Sequence, residues 1–316
     1  MPPPSRQKGR RPGLKAALAV GVVAATALLG WAAFSRTKDS SIGLDALQQV
    51  KQLVAFGPRP CASEPHRKTE RAIVEKLEAA GIPVQQDHFT GDTPIGPVAM
   101  NNIVGRIAGR GVGTGAGRTI VLATHYDTKL ERNFPFVGAN DGSSGTGLLL
   151  ALAPLLAKRG LNHNVWLVFL DGEEAFEQWS SLDSLYGSRR FAAQLRAAGT
   201  LPQIGAFILT DMIGDAGLNI LQDANSTPWL RDLFWKAAGR LGYSHYFMNS
   251  GGPIEDDHIP LILAGVPAVD LIDFDYGPGN SYWHSAEDTV DKLSAQSLQV
   301  VGEVLLESIA ELDRQK

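Results

Sequence analysis

Apolar, strand-like runs that end directly in acidic residues or histidine set the strongest constraint on how this chain can fold. Three such runs, 120–124, 165–170 and 207–210, end in His125-Tyr126-Asp127, Asp171-Gly172-Glu173-Glu174 and Asp211. Helical patterns alternate with them at 144–158, 184–198, 227–240 and 294–313. Because alternating strands and helices favour a parallel sheet covered on both faces, we expect a three-layer α/β fold. Its central sheet should be mixed but mostly parallel, with the polar clusters at the carboxyl ends of the strands.

The chain is long enough for one large domain, and no repeat or change of composition divides it after residue 41. Its 316 residues are 44% hydrophobic, which is sufficient for a packed core. Two further helices are predicted at about 42–54 and 64–80, and two further strands at about 84–90 and 100–107. The glycine-rich segment from Gly105 to Gly117 leads into a strand, so we interpret it as a hairpin connection and not as a phosphate-binding loop.

The first 40 residues carry a topological signal. Residues 1–15 are basic, and Ala16 to Phe34 form a run of 19 residues without a charge. Because about 20 apolar residues span a bilayer and positive flanks stay inside, we predict a cytoplasmic tail at 1–15, a transmembrane signal-anchor at 16–34 and a linker at 35–40. The domain at 41–316 is then extracytoplasmic, in the periplasm or outside the cell. The alternative is a cleaved signal peptide, since the run is alanine-rich, and the protein would then be secreted.

The charge and the cysteine content exclude two kinds of protein. Residues 1–40 hold seven of the 29 Lys and Arg residues and one of the 33 Asp and Glu residues, which leaves 22 basic and 32 acidic residues in 41–316. Such an acidic domain repels a phosphate backbone, so we expect no nucleic-acid partner. Cys61 is the sole cysteine, which excludes an internal disulfide and a cysteine-rich zinc site. Any metal site must therefore use histidine and carboxylates.

Asp141, Glu174 and His284 are the candidate metal ligands. They supply two carboxylates and one nitrogen, a set that leaves zinc an open position for substrate. The adjacent Glu173 and Glu174 follow a strand that the pattern predicts to be buried, and like charges there are costly unless a cation or a shared proton compensates. Each residue alone has an ordinary interpretation, as a helix cap, a solvated pair or a turn residue. Their occurrence together favours a metal site.

Longer sequence strings resemble one enzyme family from about residue 45 to the end. The His-x-Asp, helix-start Asp, Asp-Gly-Glu-Glu, further Asp and late His together resemble the M28-type zinc peptidase fold, which is zinc aminopeptidase-like. Similarity to the glutaminyl cyclotransferases is more specific and lies in 169–176 with Trp179-Ser180, 183–189, and 254–260 with Gly265-Val266-Pro267. The resemblance implies an acyltransferase that converts the N-terminal glutamine of peptides or proteins into pyroglutamate and releases ammonia.

The resemblance also implies a role for each candidate residue. Three residues would bind one zinc ion per chain: Asp141, Glu174 and His284. Glu173 would be the general acid and base, supported by a hydrogen-bond network that includes Asp211 and Asp256. Two indoles would shape the substrate pocket, Trp179 and Trp283. The roles of Asp270, where the family has a histidine, and of the 274–280 loop stay open.

Two alternatives to the cyclotransferase remain at this stage. The first is a zinc aminopeptidase of the M28 type, in which His125 and Asp211 would hold a second metal ion and Glu173 would activate water. The ligand inventory does not separate it from the cyclotransferase, because both residues are present. The second is a binding ectodomain without catalysis. Loss of a ligand or of the acid/base would indicate it, and all these positions are intact.

Overall fold

The computed structural model describes residues 1–2, 41–111 and 117–315, and Ser41–Lys316 forms one compact unit. The predicted signal-anchor at 16–34, the linker at 35–40 and all of the tail beyond Pro2 lie outside the described residues. Within the described part of the chain, no helix is long and apolar enough to cross a membrane.

Every strand and helix that the sequence pattern predicts is present among the described residues. The strands are β1 (Val84–Thr93), β2 (Gly96–Ile107), β3 (Thr119–His125), β4 (Asn164–Leu170), β5 (Ile204–Asp211) and β6 (Ala268–Ile272). The helices are α1 (Ile42–Val54), α2 (Glu64–Ala79), α3 (Ser143–Arg159), α4 (Tyr186–Ala197), α5 (Pro228–Leu241), α6 (Ile259–Leu263) and α7 (Ala295–Leu312). Sequence patterns located the predicted elements to within a few residues, but they predicted neither the short helix α6 nor the edge strand β6.

The six strands form one sheet in the order β1-β2-β4-β3-β5-β6. Strands β3, β4, β5 and β6 run parallel, whereas β2 pairs antiparallel with both β1 and β4. The predicted mixed, mostly parallel sheet is confirmed. The predicted hairpin between β2 and β3 is wrong, because β4 lies between them and pairs with both. The glycine-rich segment thus joins two strands that are not neighbours.

Alternate residues of the central strands face two separate cores. Ile120 and Leu122 pack in the larger core with α1, α2, α3, α5 and α7, whereas Val121 and Ala123 pack in the smaller core with α4 and α6. Because successive side chains of a strand point to opposite faces, a strand that is apolar throughout needs cover on both sides. The predicted three-layer arrangement is confirmed.

The start of α3 packs closely against the carboxyl ends of the strands. Gly142, which precedes the helix, has a φ of +84°, a conformation that glycine adopts without steric cost. A Cβ atom at Gly145 would overlap the side chain of Thr124 and the carbonyl oxygen of Thr210. Glycine therefore permits the close approach that holds Asp141 at the carboxyl ends of β3 and β5.

Candidate active site

Side chains from separate segments meet at the carboxyl edge of the sheet. His125 ends β3, Asp211 ends β5, and the loop after β4 carries Glu173 and Glu174. A cavity of about 360 Å³ opens there, and six polar residues predicted for the site line it: Asp141, Glu173, Glu174, Asp211, Asp256 and His284. His125 is 1% exposed and contacts Asp141 and Asp211. The structure thus brings together the polar residues that the sequence analysis placed in the site.

Asp141, Glu174 and His284 converge on one point. Nε2 of His284 lies 3.1 Å from Oε1 of Glu174 and 3.3 Å from Oδ2 of Asp141. Ligand atoms that share a tetrahedral zinc ion are separated by about 3.3 Å, given bonds of about 2.0–2.1 Å. Both carboxylate oxygens of Glu174 are buried and accept no hydrogen bond from the described residues, which is costly unless a cation binds them. The three residues therefore fit a zinc ion.

The electrostatics of these three residues also favour a cation. Burial opposes the charged form of His284, but the Glu174 and Asp141 carboxylates outweigh it and raise the pKa of His284 to about 10. Burial and the Asp141 charge raise the pKa of Glu174, against the effects of His284 and of Lys129, whose Nζ lies 3.8 Å from Glu174 Oε2. Two buried carboxylates here need positive charge beside them. A divalent cation supplies that charge while the imidazole stays neutral.

A second group of possible ligands adjoins the first through Asp141. Nε2 of His125 lies 3.1 Å from Oδ1 of Asp141 and 3.2 Å from Oδ1 of Asp211. Asp141 thus presents one carboxylate oxygen to each of two histidines, as a residue that bridges two ions would. Burial lowers the pKa of His125, but Asp211 and the other carboxylates in contact raise it well above its usual value. A charged His125 without a second ion also satisfies these contacts.

Glu173 has different neighbours from Glu174, although the two are adjacent in the chain. Burial raises the pKa of Glu173 well above its usual value; the charge of His125 opposes this, and the Glu174 and Asp256 carboxylates add to it. Asp270, in β6, is fully buried, and burial together with the Asp256 charge raises its pKa well above the usual range too. Carboxyl groups on this side of the cleft face other carboxyl groups. These neighbours favour the protonated forms, and a raised pKa suits a group that gives and takes protons in catalysis.

Two aspartates that the sequence analysis left without a role fix the loop after β4. Asp127 accepts hydrogen bonds from the backbone N–H groups of Glu173 and Glu174, at 3.2 and 3.3 Å. Oδ1 of Asp171 lies 2.7 Å from Nε2 of His66, and both residues are buried. The sequence analysis identified the strand-end motifs that contain both aspartates, but nothing local links either one to its partner. Through its hydrogen bonds to their backbone N–H groups, Asp127 orients the two glutamates.

Aromatic side chains form the wall of the cavity. Trp179 and Trp283 line it and are 39% and 37% exposed, and their predicted contact with substrate stays a prediction. Phe274 lines it as well, with its ring centroid 4.9 Å from that of Trp283, whereas Tyr276 is fully buried outside the lining. The aromatic residue of the 274–280 loop at the cavity is thus Phe274. Trp283 also stacks on His284 at 4.1 Å, which restricts the imidazole to one orientation.

Comparison with known proteins assigns the family. Residues 102–309 match the sequence model of peptidase family M28. The chain belongs to peptidase family M28. Among curated relatives of this M28 chain, the bovine glutaminyl-peptide cyclotransferase-like protein is 34% identical over 272 residues, which are 78% of this chain and 69% of the relative. The family resemblance that the sequence strings indicated is confirmed.

Solved M28-like structures with two different names share the fold. The glutaminyl cyclase of an Acidobacteriales bacterium is 43% identical, has a TM-score of 0.82, and is matched over 87% of this chain and 95% of its own. A leucine aminopeptidase precursor from Bacteroides thetaiotaomicron is 26% identical, has a TM-score of 0.76, and is matched over 87% and 97%. Proteins named for two different activities therefore share this fold. The fold alone does not separate the two activities, so the residues at the site must do so.

Proposed function

We propose that this M28 chain is a zinc-dependent glutaminyl-peptide cyclotransferase that converts the N-terminal glutamine of peptides or proteins into pyroglutamate. The observation that carries the proposal is one small cavity in which three zinc-type ligands, the protonatable Glu173 and three aromatic rings meet. Similarity to the bovine cyclotransferase-like protein and to the Acidobacteriales glutaminyl cyclase supports it.

The zinc ion that the reaction uses would be held by Asp141, Glu174 and His284. A zinc ion bound there would polarise the γ-carboxamide of the substrate glutamine as a Lewis acid. The substrate's own α-amine is the attacking group, so the chain needs no nucleophilic side chain. The three residues leave a ligand position open for the amide oxygen, as a catalytic zinc site requires.

Glu173 would move the proton during ring closure. The carboxylate form takes a proton from the α-amine as its nitrogen bonds to the amide carbon, and the carboxyl form then delivers that proton to the departing ammonia. A carboxyl group suits both steps when its pKa lies near the working pH, and burial raises the pKa of Glu173 in that direction. Asp211 and Asp256 line the same cavity and would stabilise its protonated form through shared hydrogen bonds.

The aromatic wall would position the substrate. Ring closure is intramolecular, so holding the glutamine side chain folded over its own amine supplies much of the acceleration. Trp179, Phe274 and Trp283 line the cavity, and with a substrate bound they would reduce its access to water and so disfavour hydrolysis of the amide. The same wall restricts the cavity to a small side chain.

Ammonia release from a glutaminyl dipeptide tests the proposal. Gln-Ala should yield one ammonia for each pyroglutamate formed, a chelator should stop the reaction, and added zinc should restore it. Leu-Ala is the matched substrate for an aminopeptidase and should stay intact. If the enzyme cleaves Leu-Ala and does not cyclise Gln-Ala, the proposed cyclotransferase function is wrong and the chain is a peptidase.

A two-metal aminopeptidase is the second candidate, because His125, Asp141 and Asp211 form a further possible metal site. An Asp211→Ala variant separates the two functions when bound zinc is counted with activity. Turnover that falls while zinc stays near one per chain supports cyclisation. Loss of a second bound ion from a chain that holds two would favour two-metal hydrolysis.

We also propose that the catalytic domain acts outside the cytoplasm, tethered by residues 16–34. The basic tail and the uncharged run support this topology. Protease added to intact cells or spheroplasts should digest the domain if it faces outward. Complete protection until the membrane is dissolved would contradict it.

A further inference from the structure

A second groove lies beside the active-site cavity and shares two residues with it. Its volume is about 430 Å³, and it runs between α4, α6 and the segment that precedes α4. We call it the lateral groove and define it by six lining residues: Trp179, Ala193, Arg196, Glu255, Pro260 and Leu263. Trp179 and Glu255 line the active-site cavity too, so the two spaces adjoin at that wall.

The lateral groove presents apolar surface to solvent. Leu263, the last residue of α6, is 78% exposed, and Trp179 is 39% exposed. A single exposed leucine is ordinary, but here leucine and indole line the same depression next to a cavity. Contacts between α4 and α6 hold the two sides of the groove together. The groove is therefore a built surface that would gain stability from an apolar occupant.

Charge contributes less than apolar contact to what the groove can bind. Arg189 also lines it, but its guanidinium donates hydrogen bonds to the backbone oxygens of Ser181 and Leu185. Arg196 and Glu255 are exposed and carry opposite charges, so solvent screens both and neither sign dominates. Selectivity in the groove should consequently depend on burial of apolar area.

We infer that the lateral groove binds the residues that follow the N-terminal glutamine, and that it favours substrates with apolar side chains at the second and third positions. This inference rests on the proposed cyclotransferase function. When the glutamine occupies the cavity, the rest of the peptide must leave it, and a chain passing Trp179 enters the groove directly. Each residue of an extended chain advances by about 3.3–3.6 Å, so the residues next to glutamine are the ones within reach.

Peptides of matched length test the inference. The substrates are Gln-Gly, which reports on the cavity alone, and the amides of Gln-Leu-Leu and Gln-Ser-Ser. The leucine peptide should have a KM about tenfold lower than the serine peptide, since partial burial of two leucines gives a gain of that order. The kcat values should agree within about twofold, because the reacting glutamine is the same.

Two variants of the groove and one matched control complete the experiment. Leu263→Ser and Ala193→Glu should each raise KM for the leucine peptide about three- to tenfold and leave Gln-Gly unchanged. Leu182→Ser is the control, since Leu182 is 77% exposed but lines a separate depression with Tyr186 and Arg190. The Leu182→Ser variant should leave KM unchanged for both the leucine peptide and Gln-Gly.

Three outcomes would overturn the inference, and they can be told apart. Equal KM values for the leucine peptide in wild type and both groove variants would show that the groove does not bind substrate. A Leu263→Ser change in sedimentation from dimer to monomer, with KM unchanged, would assign the groove to contact between copies of the chain. No cyclisation of Gln-Gly by the wild-type enzyme would overturn the cyclotransferase function itself.

Discussion

Glu173 and Glu174 are adjacent in the chain, yet the two sides of the cleft compensate buried charge differently. On the side of Glu174, two carboxylates face Nε2 of His284 at 3.1 and 3.3 Å, and a cation fits among them. On the side of Glu173, burial raises the pKa of that residue, and the carboxyl groups of Glu174, Asp256 and Asp257 add to the effect. We call the side of Glu174 the metal side, because it is suited to bind metal. We call the side of Glu173 the proton side, because it is suited to hold protons.

The two sides are similarly buried, so the difference between them comes from the groups next to each glutamate. Glu173 and Glu174 are 7% and 4% exposed, so both lose most of their hydration. A buried carboxylate is stabilised by a cation or by taking up a proton, and the neighbouring groups decide which. Asp127 holds the backbone N–H groups of both glutamates, which fixes the loop that separates their side chains. One loop thus supplies a ligand and a proton carrier.

The largest expected effect tests the metal side. Glu174→Gln keeps the side-chain volume and removes one negative ligand, so zinc affinity should fall and cyclisation should drop to background. Zinc content by atomic absorption and ammonia release are measured on the same sample, and excess zinc should restore part of the activity. Full zinc occupancy with normal turnover would remove Glu174 from the ligand set.

A smaller effect is expected from the proton side. Glu173→Gln removes basicity at constant volume, so turnover should fall by about 10²–10⁴-fold, the usual contribution of a positioned general acid and base. Zinc should stay near one per chain, because Glu174 is unchanged. Should this variant lose its zinc, or cyclise glutamine at a near-normal rate, the contrast between the two glutamates would be wrong.

The smallest expected effect concerns the stability of the proton side. Burial raises the pKa of Asp257 to about 7 in the folded chain, whereas an unfolded aspartate titrates near 4. The folded chain binds the extra proton between these values, so the free energy of unfolding should decrease as pH rises from about 4 to about 7. This one group contributes at most about 1.4 kcal/mol per pH unit.

Asp257→Asn removes that titration, so urea unfolding at pH 5, 6 and 7 should show a shallower decrease than the wild type does. Asp232→Asn, an exposed change on α5, controls for the loss of one negative charge. An unchanged slope in Asp257→Asn would mean that the proton side does not store protons at this position.

The amino-acid sequence by itself determined the type of the longer elements and the edge at which chemistry occurs, but it did not indicate the short α6 and β6. Apolar runs and the acidic residues that follow them are neighbours in the chain, so local pattern was enough to predict β3, β4 and β5 with their strand-end clusters. The strings around Glu173 and Glu174 were specific enough to indicate the family. The ligand set of Asp141, Glu174 and His284 was named on the same basis.

Only the tertiary structure decided which residues become neighbours. Local pattern does not encode strand order, so the insertion of β4 between β2 and β3 was missed. The choice of Phe274 over Tyr276 at the cavity depends on the path of a loop packed against distant elements. The different environments of Glu173 and Glu174 likewise come from His284 and Asp256, which lie far along the chain. Burial and charge compensation are properties of contacts, and contacts between distant segments exist only after folding.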